Sequence, residues 1–75
     1  MSRVTFRRIA SDQANIHDEN GECIGEIYRE RDILNPARLH YIAWLTEDPR
    51  GSVRIHDRSR IREIVEARAR SHPYW

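Results

Sequence analysis

Asn20-Gly21, set between two segments of alternating character, constrains this chain more than any other feature. Both central residues of a tight two-residue hairpin loop need φ > 0, and Asn and Gly adopt it at least cost. Residues 13–19 precede the pair and residues 22–29 follow it. A two-residue loop predicts the register: Glu19 opposite Glu22, His17 opposite Ile24, Ile16 opposite Gly25, Asn15 opposite Glu26, Ala14 opposite Ile27, and Gln13 opposite Tyr28. One sheet face then holds Ala14, Ile16, Cys23, Gly25 and Ile27, with Gly25 leaving room for a helix backbone. The other holds Gln13, Asn15, His17, Ile24, Glu26 and Tyr28. A slip of one residue would exchange the two sets.

The flanking sequence supplies partners for this hairpin. Val4–Ala10 alternates as a strand. Leu39–Leu45 (LHYIAWL) is apolar on both sides, with Leu39, Tyr41, Ala43 and Leu45 on one and His40, Ile42 and Trp44 on the other. A strand reads this way when both of its faces are covered. The polar connection before it carries Asn35-Pro36, and Ile33 and Leu34 are expected to tuck it against the core. Val53 and Ile55 form a short extended piece. Ile61, Ile64, Val65 and Ala69 make a helical stripe within about Arg58–Arg70, capped by Asp57 or Ser59 and stopped before Pro73. Arg68 falls on that stripe and is expected to run its stem along the core. The predicted fold is α+β in one domain, residues 1–75: an antiparallel sheet of three to four strands, with one C-terminal helix packed on one face. Small DNA-binding domains share that layout, which is an analogy of topology only.

A chain of 75 residues buries a modest core, and nothing staples it: Cys23 is the lone cysteine, so no intrachain disulfide forms. Oligomerisation or complex formation is the natural remedy. The sequence has no 18-residue apolar run and no signal-peptide h-region, so the expected location is cytoplasmic.

All 13 basic residues are arginine and 12 are acidic, yet the signs are segregated. Residues 12–32 hold seven acids against Arg29 and Arg31, whereas residues 50–75 hold seven arginines against Asp57, Glu63 and Glu66. Arginine's planar fork pairs bidentately with carboxylate and phosphate, which lysine does not match.

Catalytic chemistry finds little support. His17, His40, His56 and His72 lack metal-site spacing. Cys23 and His17 are the one thiol–imidazole pair close in sequence, and the predicted register puts them on opposite faces. Gly21, Gly25 and Gly51 form no phosphate loop. The expectation is a non-enzymatic chain with no cofactor, no metal and no small-molecule substrate. Arg54, Arg58, Arg60, Arg62 and Arg70 are candidates to orient a partner or contact phosphates, although Glu63 and Glu66 neutralise part of that surface. A single helix covers one sheet face, so Ile24, Tyr28, Ile42 and Trp44 on the other are the expected interface anchors, in keeping with the aromatic bias of binding hot spots. The favoured reading is a protein-binding module, acting as a homodimer or as an inhibitor or adaptor on a larger complex. In size and character it is like phage-borne inhibitors, anti-CRISPR proteins among them. The alternative is a nucleic-acid-binding regulator using the C-terminal arginines.

Overall fold

The hairpin at Asn20-Gly21 forms, but with one residue more in its loop than the sequence predicts. The structure is a computed structural model and describes residues 3–75. Asp18 N–H donates to the Glu22 carbonyl at 2.9 Å, Gly21 N–H donates to the Asp18 carbonyl at 3.1 Å, and Gly21 alone in the loop takes positive φ, at 83°. The loop is therefore Glu19-Asn20-Gly21, a turn followed by a left-handed glycine. Asp18 favours it: its Oδ1 accepts from the Asn20 and Glu22 amides, each at 2.9 Å.

The extra loop residue makes His17 face Cys23, not Ile24, and Asp18 faces Glu22 where Glu19 was expected. A bulge then restores the predicted register. Ile24 is left without a partner, Ile16 faces Gly25, and the pairing continues through Asn15–Glu26, Ala14–Ile27 and Gln13–Tyr28. The two irregularities cancel, so the predicted faces hold for residues 13–16 and 25–28, while Cys23 and Ile24 exchange sides.

The sheet has five strands, more than the three to four expected. They are β1 (Thr5–Ala10), β2 (Gln13–His17), β3 (Cys23–Arg31), β4 (Leu39–Leu45) and β5 (Val53–Ile55), in the order β1-β2-β3-β4-β5 with antiparallel neighbours throughout. The short extended piece expected at Val53 and Ile55 is β5. Its three residues are strand because β4 offers an edge, with Tyr41 opposite Ile55 and Ala43 opposite Val53. A short 3₁₀ turn, Arg58–Arg60, leads into α1 (Ile61–Arg70). Asp57 caps it, accepting from Ser59 N–H at 3.0 Å and Ser59 Oγ–H at 2.7 Å. The α+β class with one C-terminal helix is as predicted.

One face of the sheet meets the helix. Val4, Ile16, Ile24, Ile27, Ala43, Leu45 and Ile55 are buried with Val65 of α1, while Phe6, Ala14, Tyr41, Val53, Ile61, Ile64 and Ala69 pack around them. Each fully buried aliphatic contributes about 1.5–3 kcal/mol. The helix also reaches the edge strand. Val4 N–H donates to Glu66 Oε2 at 3.0 Å and the Arg62 guanidinium donates to the Val4 carbonyl, so backbone groups just ahead of β1 are paired by side chains.

A second tie holds the far end of the helix. Asp48, in the β4–β5 turn, has a side chain with 0% exposure and lies 2.7 Å from Arg50 Nη2 and 4.0 Å from Arg68 Nε. Arg50 donates onward to the Arg68 carbonyl at 3.1 Å, and Arg68 Nη2 donates to the Gly51 carbonyl at 2.9 Å. The Arg50 side chain holds the Asp48 carboxyl far below its ordinary 3.8; burial opposes this, while the Arg50 amide and Arg68 reinforce it. Gly25 also differs from its expected role. A Cβ there would run into the Trp44 carbonyl oxygen and come within 3.0 Å of Leu45 Cα, so the close neighbour is the β4 backbone rather than a helix.

Two outcomes follow. Gly25→Ala should lower unfolding free energy by about 1–3 kcal/mol in urea titration, since neither backbone can give way. Asp48 carries a depressed folded-state pKa, so the stability it contributes is complete above roughly pH 5 and is lost as pH falls below the unfolded value. Asp48→Asn should lower stability at neutral pH and flatten the acid limb of a melting-temperature profile.

Candidate protein interface on the uncovered sheet face

Alternation along five strands assigns the second face. Cross-strand partners share a side, so Gln13, Tyr28, Ile42 and Arg54 form one row across β2 to β5. Arg7, Asn15, Glu26 and Trp44 form the next. Thr5, His17 and Cys23 lie beyond it, and Glu30 and His40 lie at the opposite end. The centre of this face is aromatic and aliphatic, and its two edge strands, β1 and β5, each present an arginine.

A hydrogen-bonded group organises the centre. The Tyr28 hydroxyl donates to Glu26 Oε2, and Gln13 Nε2 donates to the same oxygen at 3.1 Å. Glu26 pushes the Tyr28 phenol above its ordinary 10.0, burial adds to the shift, and the neighbouring Trp44 indole opposes it. Tyr28 therefore stays neutral across the physiological range and holds the carboxylate beside Trp44. Toward the β3–β4 loop, buried His40 has Nε2 3.5 Å from Glu30 Oε2 and its ring 5.9 Å from that of His56.

No helix or strand among the described residues packs on this face. α1 occupies the other. The C-terminal tail also stays away: His72 Nε2 lies 2.9 Å from the Thr46 carbonyl and its ring stacks on Trp75 at 3.8 Å, beside a cavity lined by Val4, Ile24 and Ala69 on the helix side. Trp44 is 36% exposed, and Tyr28 and Ile42 are half-buried.

The predicted anchors divide. Tyr28, Ile42 and Trp44 share the uncovered face. Ile24 does not: the bulge turns it into the core, where it is buried with Val4 and Leu45. The arginines do not share a surface. Arg54 sits on the uncovered face at β5, opposite Ile42. Arg58 lines a groove on the helix side. Arg60 pairs with Glu63 at 3.2 Å. Arg62 lies 3.7 Å from Glu66 and over the Phe6 ring. Arg70 borders the cavity beside Trp75. Cys23 and His17, expected on opposite faces, are cross-strand partners on one. His17 Nδ1 nevertheless engages the Gly21 carbonyl at 2.9 Å, and the Cys23 thiol donates to the Gly25 carbonyl at 3.6 Å, so the thiol is not hydrogen-bonded to the imidazole.

Sequence reasoning misplaced one further pair. Ile33 and Leu34, expected to tuck inward, are each 94% exposed. Their loop is ordered by its own bonds: Asp32 Oδ1 accepts from Leu34 N–H at 2.9 Å, Asp32 N–H donates to the Arg38 carbonyl at 2.9 Å, and Arg31 Nη1 donates to the Pro36 carbonyl at 2.9 Å. The signal was an apolar pair enclosed by turn formers, Asp32 on one side and Asn35-Pro36 on the other. Turn chemistry there fixes the backbone outward.

No protein family, no curated protein and no solved structure matches this chain. The functional reading therefore rests on geometry. Selective labelling of tyrosine carbons should show Tyr28 titrating above 10.0, and Glu26→Gln should return it toward that value.

Proposed function

We propose that this chain is a small protein-binding module whose docking surface is the uncovered sheet face centred on Tyr28, Ile42 and Trp44. The observation that carries the reading is a sheet face with Trp44 exposed and Tyr28 and Ile42 half-buried at its centre, while the only α-helix among the described residues packs on the opposite side. Antiparallel sheets often leave one side to water, but then it is polar along its length. Here a Trp, a Tyr and an Ile stand together, of which the Trp and Tyr belong to the types that dominate interface hot spots. The ordered loop bearing Ile33 and Leu34 supports the same reading, because each exposed aliphatic forgoes about 1.5–3 kcal/mol of burial that a partner can recover.

Charge favours a different protein over a second copy. Arg7 and Arg54 terminate the face on β1 and β5. A twofold face-to-face pair with its axis along or across the strands would set these edge arginines against one another. A partner with an apolar centre and acidic rim meets no such repulsion, and its carboxylates gain bidentate contacts. An inhibitor or adaptor docking on a larger complex fits this surface better than a homodimer. The scattered arginines give nucleic acid less support, since Arg50, Arg60, Arg62 and Arg68 are engaged by Asp48, Glu63 and Glu66.

Trp44→Glu tests the proposal. The variant should melt cooperatively near the wild-type temperature and lose a partner that wild-type protein captures and then binds again after purification, in calorimetry. If Trp44→Glu unfolds the chain, the ring is core and the docking face does not exist. Light scattering at high concentration should show a monomer.

A further inference from the structure

A second site lies on the helix side of the sheet. α1 begins only at Ile61 and runs for ten residues, about 15 Å, so it leaves the β1–β2 turn end of its own face open. What remains is a groove of about 210 Å³. Phe6, Ala14, Ile27 and Tyr41 form its floor and Ile61 its wall. Arg8, Arg29 and Arg58 stand on the rim with Asp12, a net excess of two positive charges (three minus one). Among the described residues, Arg50, Arg60, Arg62 and Arg68 each have a carboxylate within 4.0 Å, and none of these three does. Arg29 donates to the Ser11 carbonyl at 3.2 Å, which leaves most of its fork unused.

We infer that this groove binds an apolar side chain of a partner protein flanked by acidic residues. The volume is below the roughly 300 Å³ at which small-molecule pockets begin, so it suits one ring or branched side chain more than a free metabolite. The floor is apolar and desolvates such a group at little cost. Arg8, Arg29 and Arg58 line the groove from β1, β3 and the turn before α1, so carboxylates on either side of the seated residue meet bidentate donors. A nucleic-acid backbone would need a continuous cationic track, and the helix arginines that would extend it are already paired. Gln13 and Tyr28 border both this groove and the uncovered face, whereas Trp44 and Ile42 do not line the groove, so a change at Trp44 separates the two readings.

The test uses an acetylated, amidated Glu-Phe-Glu tripeptide titrated into isotopically labelled protein. Saturable shifts should centre on the amides of Phe6, Ala14, Ile27 and Ile61. Glu-Ala-Glu and Lys-Phe-Lys should each bind about tenfold more weakly, since one lacks the ring and the other the charge. Arg29→Gln with Arg58→Gln should weaken Glu-Phe-Glu by a similar factor in a protein of unchanged melting temperature, while Trp44→Glu should leave it unaltered. The inference is overturned if shifts fail to saturate or lie elsewhere. It is equally overturned if Lys-Phe-Lys or an oligothymidylate occupies the groove as well as Glu-Phe-Glu, or if the double variant binds the peptide as tightly as wild type.

Discussion

One ten-residue helix packs against a five-stranded sheet, and the rest of this protein follows from that mismatch in area. A helix about 10 Å across shields a stripe, not a layer. The stripe here runs over Val4, Ile16, Ala43 and Leu45 and excludes water from them. The helix is fastened near both of its ends. Arg62 and Glu66 hold the backbone of Val4 just ahead of β1, and the Asp48–Arg50–Arg68 cluster locks its last turns to the β4–β5 loop. Those polar ties fix where the stripe falls, so they also fix what it leaves without a helix over it: the centre of the opposite face around Trp44 and a groove past the helix start.

The arginines divide by whether the fold has used them. Arg50, Arg60, Arg62 and Arg68 find carboxylates or carbonyls within the chain and serve packing. Arg7, Arg54, Arg8, Arg29 and Arg58 lie around the two uncovered apolar areas. Both areas place exposed or half-buried apolar side chains near arginines, although the uncovered face also carries the Glu26 carboxylate at its centre and Glu30 at its end. A partner surface rich in carboxylates would be steered toward the groove, where Arg8, Arg29 and Arg58 outnumber Asp12. The acids of residues 12–32 are spent mostly on turns and on the Glu26 cluster, where Asp18, Asp32 and Glu26 accept hydrogen bonds from their own neighbourhood.

Much of the fold was legible along the chain because its signals are local. The alternation around Asn20-Gly21, the two-sided apolarity of LHYIAWL and the stripe from Ile61 to Ala69 each specify an element without reference to the others. The pairing of Ile16 with Gly25 was readable for the same reason. What failed was detail that depends on competition. Asp18 offered a second side-chain acceptor and drew the loop one residue longer, and the bulge at Ile24 repaired the register at the cost of moving that side chain from the open face to the core. Val53–Ile55 was legible as a short extended piece, and the edge of β4 makes it the fifth strand of the sheet. Ile33 and Leu34 were misread because apolar character suggested burial where turn geometry pointed them outward.

For the candidate interface the division is similar. Hydrophobic periodicity alone placed Tyr28, Ile42 and Trp44 on one side of a sheet, since side chains on a strand alternate whatever lies around them. Which of the arginines remain available, that His17 and Cys23 share a face, and where the groove opens beyond Ile61 were decided only by tertiary structure. Such features depend on distances between segments far apart in sequence, and a one-dimensional pattern carries no information about separations that packing alone sets.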